Sequence, residues 1–466
     1  MPDFTLTSGV LAGLRSAADD PALRIATNAV TSTDVDGVTL NRAAVTSVDP
    51  TTEVQLDSLS VTDQKQSGRC WMFAGLNVFR HRIAGSLGTS DFEFSETHLQ
   101  FHDKLEKSYR TLRRLDELFR SGVTDLDDRL VAALLAHPAD DGGQWNYLVN
   151  LIGKYGVMPK QAMGETYASG LTRQLDSALS TTVRATAWKL REAALGGAGA
   201  SSTEPLVRAG MRDVHRVISV HLGVPPATFT WKYRDKDGEF HDEGTLTPLQ
   251  FRDRVLGDDL TGGLDNYISV VNDPRGENPY GAAYTVAEET NMWGTPDFSY
   301  VNADISDLRR IARASLDAGE PVWFACDVNR QFAAALGIWD RDLYERDALY
   351  GTDSSRGTGS SKAEQMRSRE SLLTHGMVLT GHDPAAGTWR VENSWGTKSH
   401  GEHAKLAGAG SMKGYGTMTD AWFDDNVFQI VAHRRFITTA TGDDLPGLSA
   451  LDRGDTTVLP VWDAMA

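Results

Sequence analysis

The chain has 466 residues, of which 40% are hydrophobic and 23% charged, a composition that supports two or three soluble domains with a large buried core. Its 63 acidic and 46 basic side chains leave a formal net charge of −17, which disfavours a phosphate-binding surface and argues against nucleic acid as a partner. No window approaches 18 uninterrupted apolar residues, and the N-terminus has no basic start followed by an apolar core, so neither a membrane span nor a signal peptide is expected.

Residues 1–60 alternate polar turns with short apolar pieces and read as an extended lead-in. From Cys70, the apolar residues Trp71, Met72, Phe73, Leu76, Val78, Phe79 and Ile83 recur at helical spacing and predict a helix buried on one side. Residues 95–122 predict a second long helix, with Ser95 at its start and Gly122 at its stop. A third runs from about Trp145 to Lys154 and ends at Gly156. Residues 165–260 read as helical and charged, broken by a Gly/Ser/Pro loop at 196–205. Residues 228–247 read as a hairpin turning at Asp237 and Gly238. From about 297 the pattern changes to strands with tight turns, and helices first with strands later is an α+β signature. Cys326, in an apolar run, is expected to pack within a strand, and two cysteines in the whole chain fit a reducing cytoplasm.

Cys70 follows Gly68 and Arg69 at a predicted helix start. That position offers partial positive charge and free N–H groups, which favour a thiolate. The Cys70 amide and the Gln64 side chain are candidate oxyanion donors. The alternative is a small buried side chain at a helix start. A thiolate needs a base, and the base needs an orienting partner. His375 opens an apolar run, and Asn393 follows eighteen residues later across the turn at 383–387. Two strands joined there would return Asn393 to His375, where its oxygen would fix the imidazole tautomer under the cover of Trp395.

The stretches QKQSGRCW, THGMVLTG and ENSWG, in that order, resemble the papain-like cysteine peptidases. The resemblance implies Gln64 in the oxyanion hole, Cys70 as nucleophile, His375 as base and Asn393 as orienter. Gly142 and Gly143, in DDGGQW, resemble the stretch that pairs with an extended substrate, against the reading of an ordinary turn. Ser67 stands where secreted members carry a disulfide cysteine, in keeping with a cytoplasmic location. His375 lies 305 positions after Cys70, against roughly 130–150 in papain and cathepsins. A large insertion is therefore expected, and with FEFSETHLQFHDKLEKS, PVWFACDV and LPVWDAMA it identifies the bleomycin hydrolase and bacterial aminopeptidase C branch.

That branch implies a lead-in at 1–60, a helical catalytic half at 61–164, a helical insertion at 165–300, a β-rich catalytic half at 301–436 and a C-terminal arm at 437–466. It also implies six subunits around a chamber, no cofactor or metal, and peptide substrates with a free N-terminus. In the family the terminal carboxylate, here on Ala466, meets the substrate's α-ammonium. The run 458–462, VLPVW, argues for a docked arm rather than a frayed one. Many family members end Trp-Asp-Pro-Met-Gly-Ala-Leu-Ala, three residues longer than the ending here. At roughly 3.3–3.6 Å per residue, the carboxylate would retreat by up to about 10 Å. That difference opens a second expectation, an endopeptidase or dipeptide-releasing variant. The pair His400 and His403 in HGEH lacks an evident third ligand and is expected to be a solvated loop rather than a metal site. No Gly-x-Ser-x-Gly, Walker A or dinucleotide-binding stretch occurs. A Cys-His acyltransferase and a non-catalytic scaffold remain as weaker readings.

Overall fold

Cys70–Leu87 forms a helix whose residues from Trp71 to Phe79 are all buried, so apolar character on nearly every face places it inside the molecule rather than on one side of it. The computed structural model describes residues 5–17, 20–56, 59–89, 91–261, 263–352, 361–406 and 412–465, with the backbone alone at 17 and 258–261. One flank of the helix lies on a sheet. The other receives the helix Trp145–Tyr155 so closely that a Cβ at Gly75 would fall 2.2 Å from Leu148. Gly88, at φ 61°, stops the helix in the left-handed region that favours glycine.

The helix Glu96–Arg120 starts as expected, with the Ser95 hydroxyl accepting from the His98 N–H at 3.1 Å. Arg173–Leu195 and Ala200–Leu222 pack against it through a separate apolar cluster that includes Leu112, Leu179 and Val214. The expected loop at 196–205 is shorter in the structure, and Pro205 falls inside the second of these helices. The hairpin forms from Phe229–Arg234 and Phe240–Leu246, with Gly238 at φ 82° in the turn.

Two expectations need correction. The described residues of 1–60 are not an extended lead-in. They carry the helices Ser8–Ala17, Pro21–Val30, Val35–Thr39 and Arg42–Ser47, three of them capped by the side chains of Asp20, Asp34 and Asn41. The polar residues read as turns are these caps. The helical character expected through residue 300 ends earlier. Tyr267–Val271, Ala283–Val286 and Ser299–Asn302 are strands of the sheet that also carries His375–Asp383. Ile268, Val270 and Val271, in the first of them, are β-branched and buried, as a strand covered on both faces requires.

At the centre of that sheet Val322–Cys326 lies between His375–Asp383 and Val427–His433, antiparallel to both. His375–Asp383 turns back into Thr388–Glu392, and Tyr415–Thr419 follows. Cys326 is fully buried opposite His375, as expected of a packed strand residue. Past Ile437 the chain is ordered by the helix Leu448–Arg453 and by Thr457–Leu459, which pairs parallel with Ala283–Val286. No helix among the described residues is long and apolar enough to cross a membrane.

The start of the Cys70 helix is fixed from behind by a buried ion pair. The Arg69 guanidinium, 1% exposed, meets both oxygens of Glu165 at 3.0 and 2.7 Å, and its Nε donates to the Ser67 hydroxyl at 2.9 Å. Glu165 also accepts from Thr97 at 2.8 Å and Ser169 at 2.7 Å. Burial alone would raise the Glu165 carboxyl, but the bonds from Arg69 outweigh it and hold the carboxyl below its usual range. Removing one partner strands the other charge. Arg69→Met is therefore expected to lower the free energy of unfolding in urea by about 3–5 kcal/mol, with part of the loss regained in the Arg69→Met, Glu165→Gln double variant.

Candidate active site

The six residues ahead of Cys70 form a tight turn pinned from several sides. Gln64 N–H donates to the Ser394 carbonyl at 2.8 Å, Gln66 N–H to the Gly170 carbonyl at 3.0 Å, and Gly68 N–H to Asp141 Oδ2 at 2.8 Å. A Cβ at Gly68 would lie 2.7 Å from the Asp141 side chain, so glycine is needed there for the turn to close. Asp141 also accepts from Thr172 at 2.5 Å and pairs with the buried Lys104 at 2.8 Å. Burial opposes its charge, and Lys104 more than compensates, lowering the carboxyl to about 2. Its backbone carbonyl accepts from the Trp71 indole at 2.8 Å. Gly143 is dictated by the same indole, since a Cβ there would stand 2.5 Å from a Trp71 ring carbon.

His375 begins its strand opposite Cys326, and Gly376 brings that strand onto the first turn of the Cys70 helix. An ideal Cβ at Gly376 would lie 3.3 Å from the Trp71 Cα, tighter than side chains ordinarily allow. The Trp323 indole donates to the Trp71 carbonyl at 3.1 Å and ties sheet to helix at the same place. His375 Nε2 lies 2.9 Å from Asn393 Oδ1. That oxygen also accepts the Ser394 N–H at 2.8 Å, which identifies it as the acceptor. Nε2 therefore carries the hydrogen, and Nδ1 keeps a lone pair. Asn393 is fully buried, and the Trp395 ring covers His375 with centroids 4.8 Å apart.

Gln64 is buried and is not among the residues that line the cleft. Its Nε2 donates to the Ser67 carbonyl at 2.6 Å, and its Oε1 accepts from the Ser394 hydroxyl at 2.6 Å. One amide hydrogen is thus used within the turn. Cys70 is half-buried. Burial pushes its thiol up, while the N–H groups of Gly376, Trp71 and Cys70 itself favour the thiolate. Burial likewise lowers His375 to about 4, against the hydrogen bond to Asn393, which raises it. Burial thus disfavours the ionised form of each group taken alone.

Cys70, His375, Gly376, Gly142 and Gly143 share the wall of one cleft of about 830 Å³. The C-terminal segment lines it too, through Val461, Trp462 and Asp463, as docking of the arm requires. The Trp462 ring sits 3.9 Å below the Arg129 guanidinium, and its carbonyl accepts from Arg369 at 2.8 Å. Asp463 pairs with Arg275 at 2.6 and 3.0 Å, and Arg275 is held in turn by the buried Asp273. Ala464 and Met465 are buried against Tyr284, Tyr300 and Phe428. Ala466 lies outside the described residues.

His400 and His403 are not the solvated loop expected of them. They are 1% and 0% exposed, with His400 packed against Trp339 and bonded to the Ser399 hydroxyl at 2.7 Å. Among the described residues the group of three metal-ligating side chains within reach of one another is Asp235, Glu239 and His241 on the hairpin turn, none of which lines the cleft. Sequence reasoning missed Asp141, Glu165 and the ion pair that Glu165 makes with Arg69. Asp141 carried a signal, since it immediately precedes the Gly142–Gly143 pair; Glu165 carried none.

The chain matches the model of the Peptidase C1-like family over residues 7–466. It is 36% identical to bleomycin hydrolase of Homo sapiens over 98% of this chain and 97% of that one. It is 37% identical to aminopeptidase C of Listeria monocytogenes over 87% of each. Among solved structures it superposes on PepW from Lactobacillus rhamnosis HN001 with a TM-score of 0.90 and 36% identity, covering 99% of both chains. The chain thus belongs to the Peptidase C1-like family, as a cysteine-type peptidase of papain-like α+β fold with bleomycin hydrolases and aminopeptidases C among its relatives.

Proposed function

We propose that this chain hydrolyses peptides through a thioester on Cys70, with His375 as base, Asn393 orienting it and Gln64 helping to hold the oxyanion, and that it acts chiefly on peptides with a free N-terminus. The observation that carries the chemistry is the shared cleft wall of Cys70 and His375, with the far imidazole nitrogen fixed by Asn393 at 2.9 Å. The aminopeptidase reading draws on the C-terminal segment lining that same cleft and on the name of the bacterial relatives.

The cycle follows from the tautomer. His375 Nδ1 takes the Cys70 proton as the sulfur attacks the scissile carbonyl. The oxyanion is met by the Cys70 N–H and the remaining Gln64 amide hydrogen. The imidazolium then protonates the leaving amine, and water activated by His375 hydrolyses the thioester. Net charge is unchanged in the first step. A buried site therefore supports it, although burial disfavours each ion separately.

Cys70→Ala is expected to abolish turnover with the unfolding midpoint unchanged, and His375→Ala to cost about 10²–10⁴-fold in kcat. Retained turnover in Cys70→Ala would remove the thiol from the mechanism. The acid limb of kcat/KM is expected near pH 4 rather than 6.5. Below it the imidazole is already protonated and cannot accept the thiol proton, so activity falls as pH falls through that value. A limb at pH 6–7 would contradict the burial argument. Matched dye-linked substrates with free and acetylated N-termini test the exopeptidase reading. Rates at least about tenfold higher on the free amines are expected, whereas equal rates would favour the endopeptidase alternative.

A further inference from the structure

The cleft holds a feature that the proposed chemistry does not use. Residues 288–291 are fastened across the entrance of the helix Trp145–Tyr155. Glu288 pairs with Arg110 at 2.7 Å and with Arg114 at 2.6 Å. Asn146 donates to the Glu289 carbonyl at 3.3 Å. Asn291 donates to Asp103 at 3.1 Å and to the Tyr147 carbonyl at 3.2 Å, and accepts from Asn150 at 3.1 Å. Glu288 is held at φ 65°, left-handed backbone that a non-glycine residue seldom adopts and that clusters at ligand sites. The result is a rigid mount for Glu289, which lines the same cleft as Cys70 and His375.

Among the described residues the Glu289 carboxylate has no cationic partner of its own. The hydrogen bond it makes among the described residues comes from the neutral Tyr147 hydroxyl, at 2.9 Å. The cations facing it are Arg110 and Lys107, and both are committed elsewhere. Arg110 is held by the carboxylate and carbonyl of Glu288, while Lys107 pairs with Asp103 at 2.8 Å and donates to the carbonyls of Asp140 and Gly142. Asp140 adds a second carboxylate, exposed on the same cleft. Gln144, 5% exposed, also lines the cleft, and its Oε1 is buried with no hydrogen-bond partner among the described residues. Burial raises the Glu289 carboxyl, with Asp140 adding to the rise, and a positive charge brought against it would favour the ionised form.

We propose that Glu289, with Asp140 and the Gln144 amide oxygen, forms a subsite for a cationic group of the bound peptide, and so sets a preference among substrates. This rests on the peptidase reading of the same cleft. Ammonium and guanidinium groups satisfy the chemistry equally, and they come either from a lysine or arginine side chain or from the α-amine.

The test uses the full chain and dye-linked amides of Lys, Arg, Leu and Met, each with a free and an acetylated N-terminus. Glu289→Gln keeps the bond to Tyr147 and removes the charge. It is expected to lower the ratio of kcat/KM for Lys and Arg over Leu and Met by about 10- to 100-fold, as loss of a charged hydrogen bond implies. That fall, seen in acetylated and free substrates alike, assigns the side chain. A similar fall in the ratio of free over acetylated substrates, equal across all four side chains, assigns the α-amine. Movement of neither ratio by more than about twofold overturns the subsite while leaving Cys70 chemistry intact. So does an equal shift in Tyr147→Phe, which retains the carboxylate. Should Glu289→Gln fail to fold, the unmodified chain supplies the measurement. Raising KCl from about 0.02 to about 0.3 M is expected to slow cationic substrates selectively, and equal salt dependence for all substrates overturns the proposal.

Discussion

The structure turns on one close approach, that of the strand opening at His375 onto the first turn of the Cys70 helix. The two come from places 305 positions apart in the chain. They meet because Gly376 presents no side chain to the Trp71 backbone and because the Trp323 indole bonds the Trp71 carbonyl. Opposite, Gly75 lets the helix Trp145–Tyr155 press in from the other side. The Cys70 helix is thereby clamped between sheet and helix near its N-terminal end. A shift of an ångström at such a place is costly in catalysis, and dense packing on both flanks resists it.

That clamp has an electrostatic counterpart. Burial disfavours the thiolate and the imidazolium alike, and the N–H groups around Cys70 and the bond from His375 to Asn393 oppose it at each. The fixed charges sit one layer out. Arg69 with Glu165 and Lys104 with Asp141 neutralise each other while gripping the turn that carries Cys70. They act chiefly on geometry, but the Asp141 charge also reaches the sulfur and raises its thiol, against the backbone N–H groups that favour the thiolate. Asp141 serves both ends of the turn, through its carboxylate at Gly68 and its carbonyl at the Trp71 indole.

Much of this was legible in the sequence because local chemistry agreed with distant chemistry. His375 and Asn393 flank a turn that could be read from residues 383–387, and the strand pairing follows from it. Cys70 was marked by the apolar run behind it. What stayed hidden was set by tertiary contacts. The Asp and Asn residues of the first 60 positions look the same in loops and in helix caps, and only packing decides between them. His400 and His403 are polar letters beside glycine, yet the aromatic wall of Trp339 and Phe332 encloses His400. Glu289 sits in an unremarkable turn of sequence and gains its meaning from Tyr147 and the cleft. The family resemblance supplied the roles proposed for four residues, and the structure joins His375 to Asn393 and sets Cys70 and His375 on one cleft wall, while Gln64 lies behind it. Gly143, likened to a substrate-pairing residue, has an additional cause in the Trp71 ring.

The parallel pairing of Thr457–Leu459 with Ala283–Val286 extends one residue further, where the Ala287 N–H donates to the Leu459 carbonyl at 2.9 Å. Glu288 and Glu289 come next in the chain. The last strand is therefore the outermost plank of the sheet and also the brace from which the acidic loop hangs. An end segment built this way cannot swing clear like a latch on a hinge. Withdrawing it would bare an open row of backbone donors and acceptors and slacken the loop beside it, so the two borders of the cleft move as one body or stay put together.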